Sequence, residues 1–317
     1  MTLLLLSFFA CGLRDDSSTF GEDIIPEEEQ LRVNLPIASE AAKSPDDPTT
    51  WATYYDTTRN VTESVNGVIK FVLGTTALVV TTQEPSWTDE DEQKAIWGPY
   101  KDSGLDPVST GVYVVHNEDG SYAWSLFQVP NGGTVEEDAV AIVLGEVDAG
   151  STREEATGRF TIDFNAAAAL DPAVHLVGTF STEYGYDTEG VSALVMTDDY
   201  GFDVGPTWDA MYDYDEDYTG SGEMDLAYLA DLNGSGTDEI VTLKSRWQAD
   251  GMGRGDARIL EGDLAVSEAT ASECWGTDFL TSYWVDNVDL HDPVGEESVC
   301  AYTPASYAEE ASFSSSD

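Results

Sequence analysis

The chain has 317 residues, 41% hydrophobic and 23% charged, a composition that fits a globular core and excludes a disordered chain. Its 61 Asp and Glu against 13 Lys and Arg leave a net charge of −48. Such a surface repels nucleic acid and anionic lipid and attracts cations, and it suits a saline medium where screening relieves self-repulsion.

The first predicted element is an apolar run of nine residues, TLLLLSFFA, from Thr2 to Ala10. It is far shorter than the roughly 20 residues a spanning helix needs, and it predicts a signal peptide over residues 1–10. Ala10 followed by Cys11 reads as a lipoprotein junction with Cys11 as the lipidated residue, although Phe8 stands where Leu is usual and no Lys or Arg precedes the run. Residues 11–50 are polar, acidic and Pro-containing. They bury too little apolar area to offset ordering entropy and predict a disordered acidic tether.

A helix is predicted next, over residues 61–83. Val61, Val65, Val68, Ile69, Val72, Leu73, Val79 and Val80 recur at helical spacing, Asn60 is suited to the N-cap with Glu63 three residues on, and Pro85 marks the end. Its Val and Thr content leaves a strand reading of 68–82 open. Lys70 and several threonines interrupt its apolar face, which argues against a membrane span.

From about Pro107 the period changes to two. Tyr122, Trp124 and Leu126 alternate with small or polar residues, as do Phe160, Ile162 and Phe164, then Met224, Leu226 and Tyr228, then Val241, Leu243 and Trp247. Turn signals at Asn117–Gly120, Asn131–Gly133, Asp199–Gly201 and Asn233–Gly236 separate the runs. A short helical turn at Asn165–Leu170 is stopped by Pro172, which is the fallback place for a domain boundary. The expected fold is mainly β (α+β): the N-terminal helix packs on an antiparallel meander, shaped as a curved sheet or partial barrel. A single β-rich domain over 51–305 and a disordered tail over 306–317 complete the organisation.

Three cysteines occur. With Cys11 lipidated, Cys274 and Cys300 remain as a pair, which export favours as a disulfide over two buried thiols. The loop Asp231–Glu239 offers oxygen ligands from Asp231, Asn233, Ser235, Thr237 and Glu239, with Gly236 at the turn position of a calcium loop. Thr242 stands where a bidentate Glu belongs, and a plain hairpin turn accounts for the same glycines. The acidic–aromatic run Tyr212–Tyr218 reads as a solvated loop or charged strand edge. His116, His175 and His291 are scattered, and no G-x-S-x-G, H-E-x-x-H or P-loop motif occurs. Arg254-Gly255-Asp256 reads as part of a glycine-rich turn rather than an adhesion motif.

The run LNGSGTDEIVTLKSRWQADGMGRGDARILEGDL, then ATASECWGTDF and Cys300, with DTTRNVTESVNGVIKFVL and AIWGPYKD upstream, resembles a group of predicted lipoproteins of myxobacteria with no described activity. The likeness spans most of residues 50–303, and SRW…GxGRGD…ECW is its most specific part. It implies export and a single family domain, and it implies no catalytic residue. The expectation is therefore a non-catalytic, lipid-anchored envelope protein with a structural or ligand-binding role, at the outer membrane or cell surface rather than the inner membrane. An apolar small molecule held between helix and sheet is the expected ligand, with the membrane as partner through the lipid and nucleic acid excluded. The alternative is a secreted or periplasmic hydrolase using paired carboxylates or a bound cation, and with 61 acidic residues some pair would fall at a suitable distance by chance.

Overall fold

The computed structural model describes Leu31 and residues 34–36, 51–89, 93–101, 106–152 and 154–308. The signal peptide over 1–10, Cys11 and most of the tether lie outside the described residues. Fourteen strands follow the period-two runs: β1 (Trp87–Asp89), β2 (Lys94–Tyr100), β3 (Val108–His116), β4 (Tyr122–Pro130), β5 (Val140–Val147), β6 (Ala156–Asp163), β7 (Leu176–Tyr186), β8 (Gly190–Phe202), β9 (Thr207–Asp217), β10 (Gly222–Ala230), β11 (Glu239–Trp247), β12 (Gly253–Leu260), β13 (Glu268–Trp275) and β14 (Thr281–Asp286). They pair in chain order as one antiparallel meander, continuous across Pro172. β1 and β14 do not pair with each other, so the sheet stays open. It begins earlier than Pro107, which the sequence did not show because β1 has three residues and Gly98-Pro99 breaks the alternation of β2.

Three local expectations are corrected. Asp199–Gly201 is no turn but lies inside β8, where the register shifts between Thr197 and Tyr200 and Asp199 takes a φ of 49°. Asp tolerates the left-handed region, so a bulge and a turn share the same composition. Tyr212–Tyr218 is largely the interior strand β9, with Tyr212 and Tyr214 buried and Asp213, Asp215 and Asp217 exposed. Arg254-Gly255-Asp256 belongs to β12, after the turn at 248–252, and both charged side chains are buried.

The long helix, α1 (Thr53–Thr82), starts eight residues before the expected position. Asn60 is therefore within it, and Ala52 at the N-cap offers no side-chain acceptor. The acceptor comes from the sheet: Glu273 on β13 takes the Tyr54 N–H at 2.7 Å. A carboxylate facing a helix N-terminus satisfies an orphan donor and complements the helix dipole. This cap is 219 residues away in sequence and invisible to a local reading. α1 is long and apolar enough by length and composition to cross a membrane. Here its stripe of Tyr55, Thr58, Thr62, Val65, Ile69, Val72, Leu73, Thr76 and Val80 is buried at helical spacing.

α1 crosses the strands instead of following them. Tyr54 meets Glu273 of β13, Thr58 meets Ser245 of β11 at 2.5 Å, Thr62 meets Tyr212 of β9 at 3.3 Å, and the Gln83 carbonyl beyond its end accepts from Trp97 Nε1 of β2 at 3.2 Å. The rise from Tyr54 to Gln83 is about 44 Å at 1.5 Å per residue. The path along the sheet from β13 to β2 is about 53 Å at 4.8 Å per strand spacing. The arc exceeds the chord, so the sheet bows around the helix, and both bury apolar faces in a common core.

Shorter elements close the ends. α2 (Val135–Asp138) is capped by Thr134, and α3 (Phe164–Leu170), the expected helical turn, by Asp163. The strand ends at the turns 117–121, 148–152, 187–189, 218–221 and 248–252 form one end of the sheet. There four rings lie flat over glycines on the facing strand: Trp124 over Gly145, Tyr184 over Gly158, Trp247 over Gly222 and Trp275 over Gly253. A Cβ on any of the four would come within 2.7 Å of the facing side chain, so only glycine admits the ring. Leu31 and Leu35 are buried in the same core, and the Pro36 carbonyl accepts from the Tyr55 hydroxyl at 2.9 Å. At these positions the chain is docked, contrary to a free tether through residue 50, because two leucines at i and i+4 find an apolar slot.

Residues 306–308 are docked as well. Ser306 N–H donates to Asp256 Oδ2 at 3.1 Å, Arg258 donates to the Ala308 carbonyl at 3.3 Å, and Ala308 is buried. The docked residues therefore continue past 305 as far as 308, since their backbone groups meet Asp256 and Arg258 of β12. Residues 309–317 of the expected tail lie outside the described residues.

Candidate functional site

Alternation on β7–β10 sends one set of side chains toward α1 and leaves room between. The resulting cleft has a volume of about 610 Å³. That lies within the range of about 300–1,000 Å³ typical of small-molecule sites. Val61, Val65 and Val68 form its helix wall, and Phe180, Val195, Ala210, Tyr212 and Leu226 its sheet wall. Tyr200, Trp208, Tyr228, Ala230 and Leu232 stand toward the mouth. The mouth opens at the strand ends opposite the aromatic–glycine end, where Phe202, Val204, Trp208 and Leu232 are all exposed. Single exposed apolar residues are ordinary, but four beside one opening form a patch.

The chemistry of the lining is set by what it lacks. None of its seventeen residues is Asp, Glu, Lys, Arg or His. Its titratable groups are Tyr200, Tyr212 and Tyr228, whose hydroxyls burial pushes up and keeps neutral. Thr57, Asn60, Ser64 and Thr197 add a few neutral polar groups on the rim of an otherwise apolar surface. The cleft can hold an apolar body and hydrogen-bond a neutral polar end. It presents no acid–base pair and no nucleophile with an adjacent base.

A second concavity of about 610 Å³ lies at the opposite strand ends, between the turns at 149–151 and 187–190 and Asp215–Asp217. It is an open trough lined by six carboxylates. Asp187 there accepts N–H groups of its own turn, and Asp217 accepts the Thr219 hydroxyl and then N–H groups of its turn, which holds both below the usual carboxylate range. The trough matches the apolar cleft in size and is no more open to solvent, and it differs from it in chemistry, its carboxylates being engaged by the turns that carry them.

The buried carboxylates of the domain are committed elsewhere than in the cleft. Glu273 accepts from Tyr54 N–H and from the Thr281 hydroxyl at 2.6 Å, and burial raises its pKa against these bonds. Glu216 accepts from the Tyr214 hydroxyl and the Asn34 N–H, and burial raises it too. Asp256 is held by Arg254 at 2.7 Å, Arg246 at 2.9 Å and Ser272 at 2.6 Å. Glu239 accepts from Leu232 N–H and Asp263 N–H.

The structure brings the expected calcium loop together as the β10–β11 turn. Asp231 accepts N–H groups of Gly234, Ser235 and Gly236, Asn233 Oδ1 accepts from Ser235 N–H, and Ser235 Oγ accepts from Thr237 N–H. Glu239 faces inward and fully buried beside Gly262. Among the described residues no group of three or more His, Cys, Asp or Glu is placed to hold a metal ion. Cys274 and Cys300 form the disulfide, with Cα atoms 5.5 Å apart. The histidines stay separate: His116 stacks on Tyr122, His175 faces Asp203, and His291 lies against Trp284.

The cleft itself was only outlined by the sequence, as a space between helix and sheet. Trp208 and Tyr200 at its mouth were missed. The available signal was the period-two continuation Trp208–Ala210–Tyr212–Tyr214 on β9, masked by the acidic residues between. Comparison of the chain with protein-family models, with curated proteins and with solved structures gives no match.

Proposed function

We propose that this domain binds an apolar, lipid-like molecule in the cleft between α1 and β7–β10, without catalysis, and that it does so at the cell envelope, anchored through Cys11. One observation carries the binding reading: a chain with 61 acidic residues keeps a 610 Å³ cleft wholly free of ionisable acids and bases other than tyrosine. Such a lining favours apolar burial and gives little purchase to hydrolysis. The Cys274–Cys300 bridge accords with an oxidising compartment outside the cytoplasm.

The test is a chain-length series of neutral long-chain alcohols. Each methylene buried contributes about 0.8 kcal/mol, so affinity should rise about fourfold per carbon until the cleft is full. Ala210→Trp, which fills the cleft from β9, should abolish binding while the far-ultraviolet spectrum is unchanged. A flat series, or undiminished binding by Ala210→Trp, overturns the reading. For the anchor, Cys11→Ser should move the protein from the membrane to the soluble fraction. An unmodified mature N-terminus downstream of Cys11 would refute it.

A further inference from the structure

Granting ligand binding in the cleft as proposed above, the charge around the mouth decides which polar end a ligand can carry. Carboxylates stand beside the lining residues in sequence, those of Asp198 and Asp209 on the other face of their strands: Asp198 and Asp199 precede Tyr200, Asp209 lies between Trp208 and Ala210, and Asp231 lies between Ala230 and Leu232. Asp199 and Asp209 are joined across β8 and β9, the Asp199 N–H donating to Asp209 Oδ1 at 2.9 Å. The bordering turns 164–175, 203–206 and 231–238 add Asp171, Asp203 and Asp238. Among the described residues of those turns His175 is the one basic side chain, and it faces Asp203 at 3.1 Å. On the helix wall Arg59 is adjacent to Asn60, but it is paired with Glu63 at 2.7 Å and stacked over Trp51 at 4.7 Å.

An amphiphile entering tail first leaves its head at this mouth. We propose that the cleft takes a long-chain amphiphile whose head is cationic or uncharged, and turns away carboxylate- and phosphate-headed lipids. At about 10 mM salt the screening length of about 30 Å spans the mouth, so these carboxylates favour a cationic head over an anionic one by about an order of magnitude. The same charges are nearly silent at about 0.5 M salt, where screening acts within a few ångströms.

Three probes with one palmityl-length chain separate the cases: hexadecyltrimethylammonium, monopalmitoylglycerol and palmitate. Each competes with a neutral fluorescent apolar dye for the full chain, below its micelle concentration. The expected order at low salt is cation, then neutral, then palmitate, the extremes about an order of magnitude apart and converging at about 0.5 M salt. The combined Asp199→Asn, Asp209→Asn and Asp231→Asn variant should narrow the low-salt gap in the same way, and the salt series on the unaltered protein stands without it. Palmitate binding as tightly as the cation at low salt overturns head-group selection while leaving cleft binding intact. Failure of all three probes to displace the dye overturns both.

Discussion

The outer face of β11–β13 and the inner face of β7–β10 handle burial in opposite ways. On the outer face, residues 297–308 cover Arg254 and Asp256, and every charge there has a partner: Arg254 bonds Asp256, Glu297 and the Tyr302 carbonyl, while Arg246 packs over the Tyr302 ring. On the inner face the cleft beside Val195, Ala210 and Leu226 is left hollow, and its lining is uncharged. A buried charge demands fixed partners, so the first region is rigid by construction. An apolar hollow demands none and can be left open for a guest. Substitutions should therefore cost stability on the outer face and binding on the inner one.

The largest effect is expected from Arg254→Ala, which leaves Asp256, fully buried, with a reduced set of partners. A loss of about 3–5 kcal/mol is expected in denaturant unfolding, with dye binding per folded molecule unchanged. Loss of binding without loss of stability would break the comparison. Replacing both Cys274 and Cys300 with Ser frees a 26-residue separation in the unfolded chain, for about 3.5 kcal/mol. Glu273→Ala uncaps α1 and leaves buried donors unpaired, at about 1–3 kcal/mol, and Glu273→Gln, which keeps an acceptor, should lose less.

Acidity sharpens the same contrast. Burial raises Glu273 and Glu216 above 4.5, so the folded state binds protons more readily than the unfolded one. Stability from these two groups is full below 4.5 and lost as pH rises through their folded values. Asp187, Asp217 and Asp231 are lowered from 3.8, so their contribution is present above 3.8 and lost as pH falls below it. Melting temperature should rise from neutral pH toward 4.5 and fall below 3.8, and Glu273→Gln should blunt the rise. The smallest effect concerns the β10–β11 turn. Asp231→Asn should weaken the turn slightly, and at matched ionic strength calcium should stabilise both proteins equally. A calcium-specific gain confined to the unaltered chain would instead make the turn a cation site.

The legible parts of the fold were those written at short range. The α1 stripe, the alternating strands and the turn at Asn233–Gly236 follow from local periods, and the meander follows from turns too short for crossovers. What escaped was written at long range. The start of α1 depends on Glu273 of β13, the burial of Leu31 on a core gathered from distant strands, and the burial of Arg254 on a strap 43 residues on. In β9 the period was present, but alternate aspartates made an interior strand resemble a solvated one. The cleft was foreseeable as a space between helix and sheet, but its uncharged lining emerges only when α1 and four strands meet.

The open edges of the sheet have a mechanical consequence. A closed barrel is a hoop, its girth set by strand number and stagger. This sheet is a clip, whose gape changes when a small extra twist is shared among thirteen strand interfaces, with no ladder hydrogen bond broken. The rings seated on glycines pin one rim of the clip, so flexing is concentrated at the other, where Tyr200 and Trp208 stand. A guest thicker than the resting cleft should spread that rim instead of being refused, and the girth of the acceptable guest is graded rather than fixed.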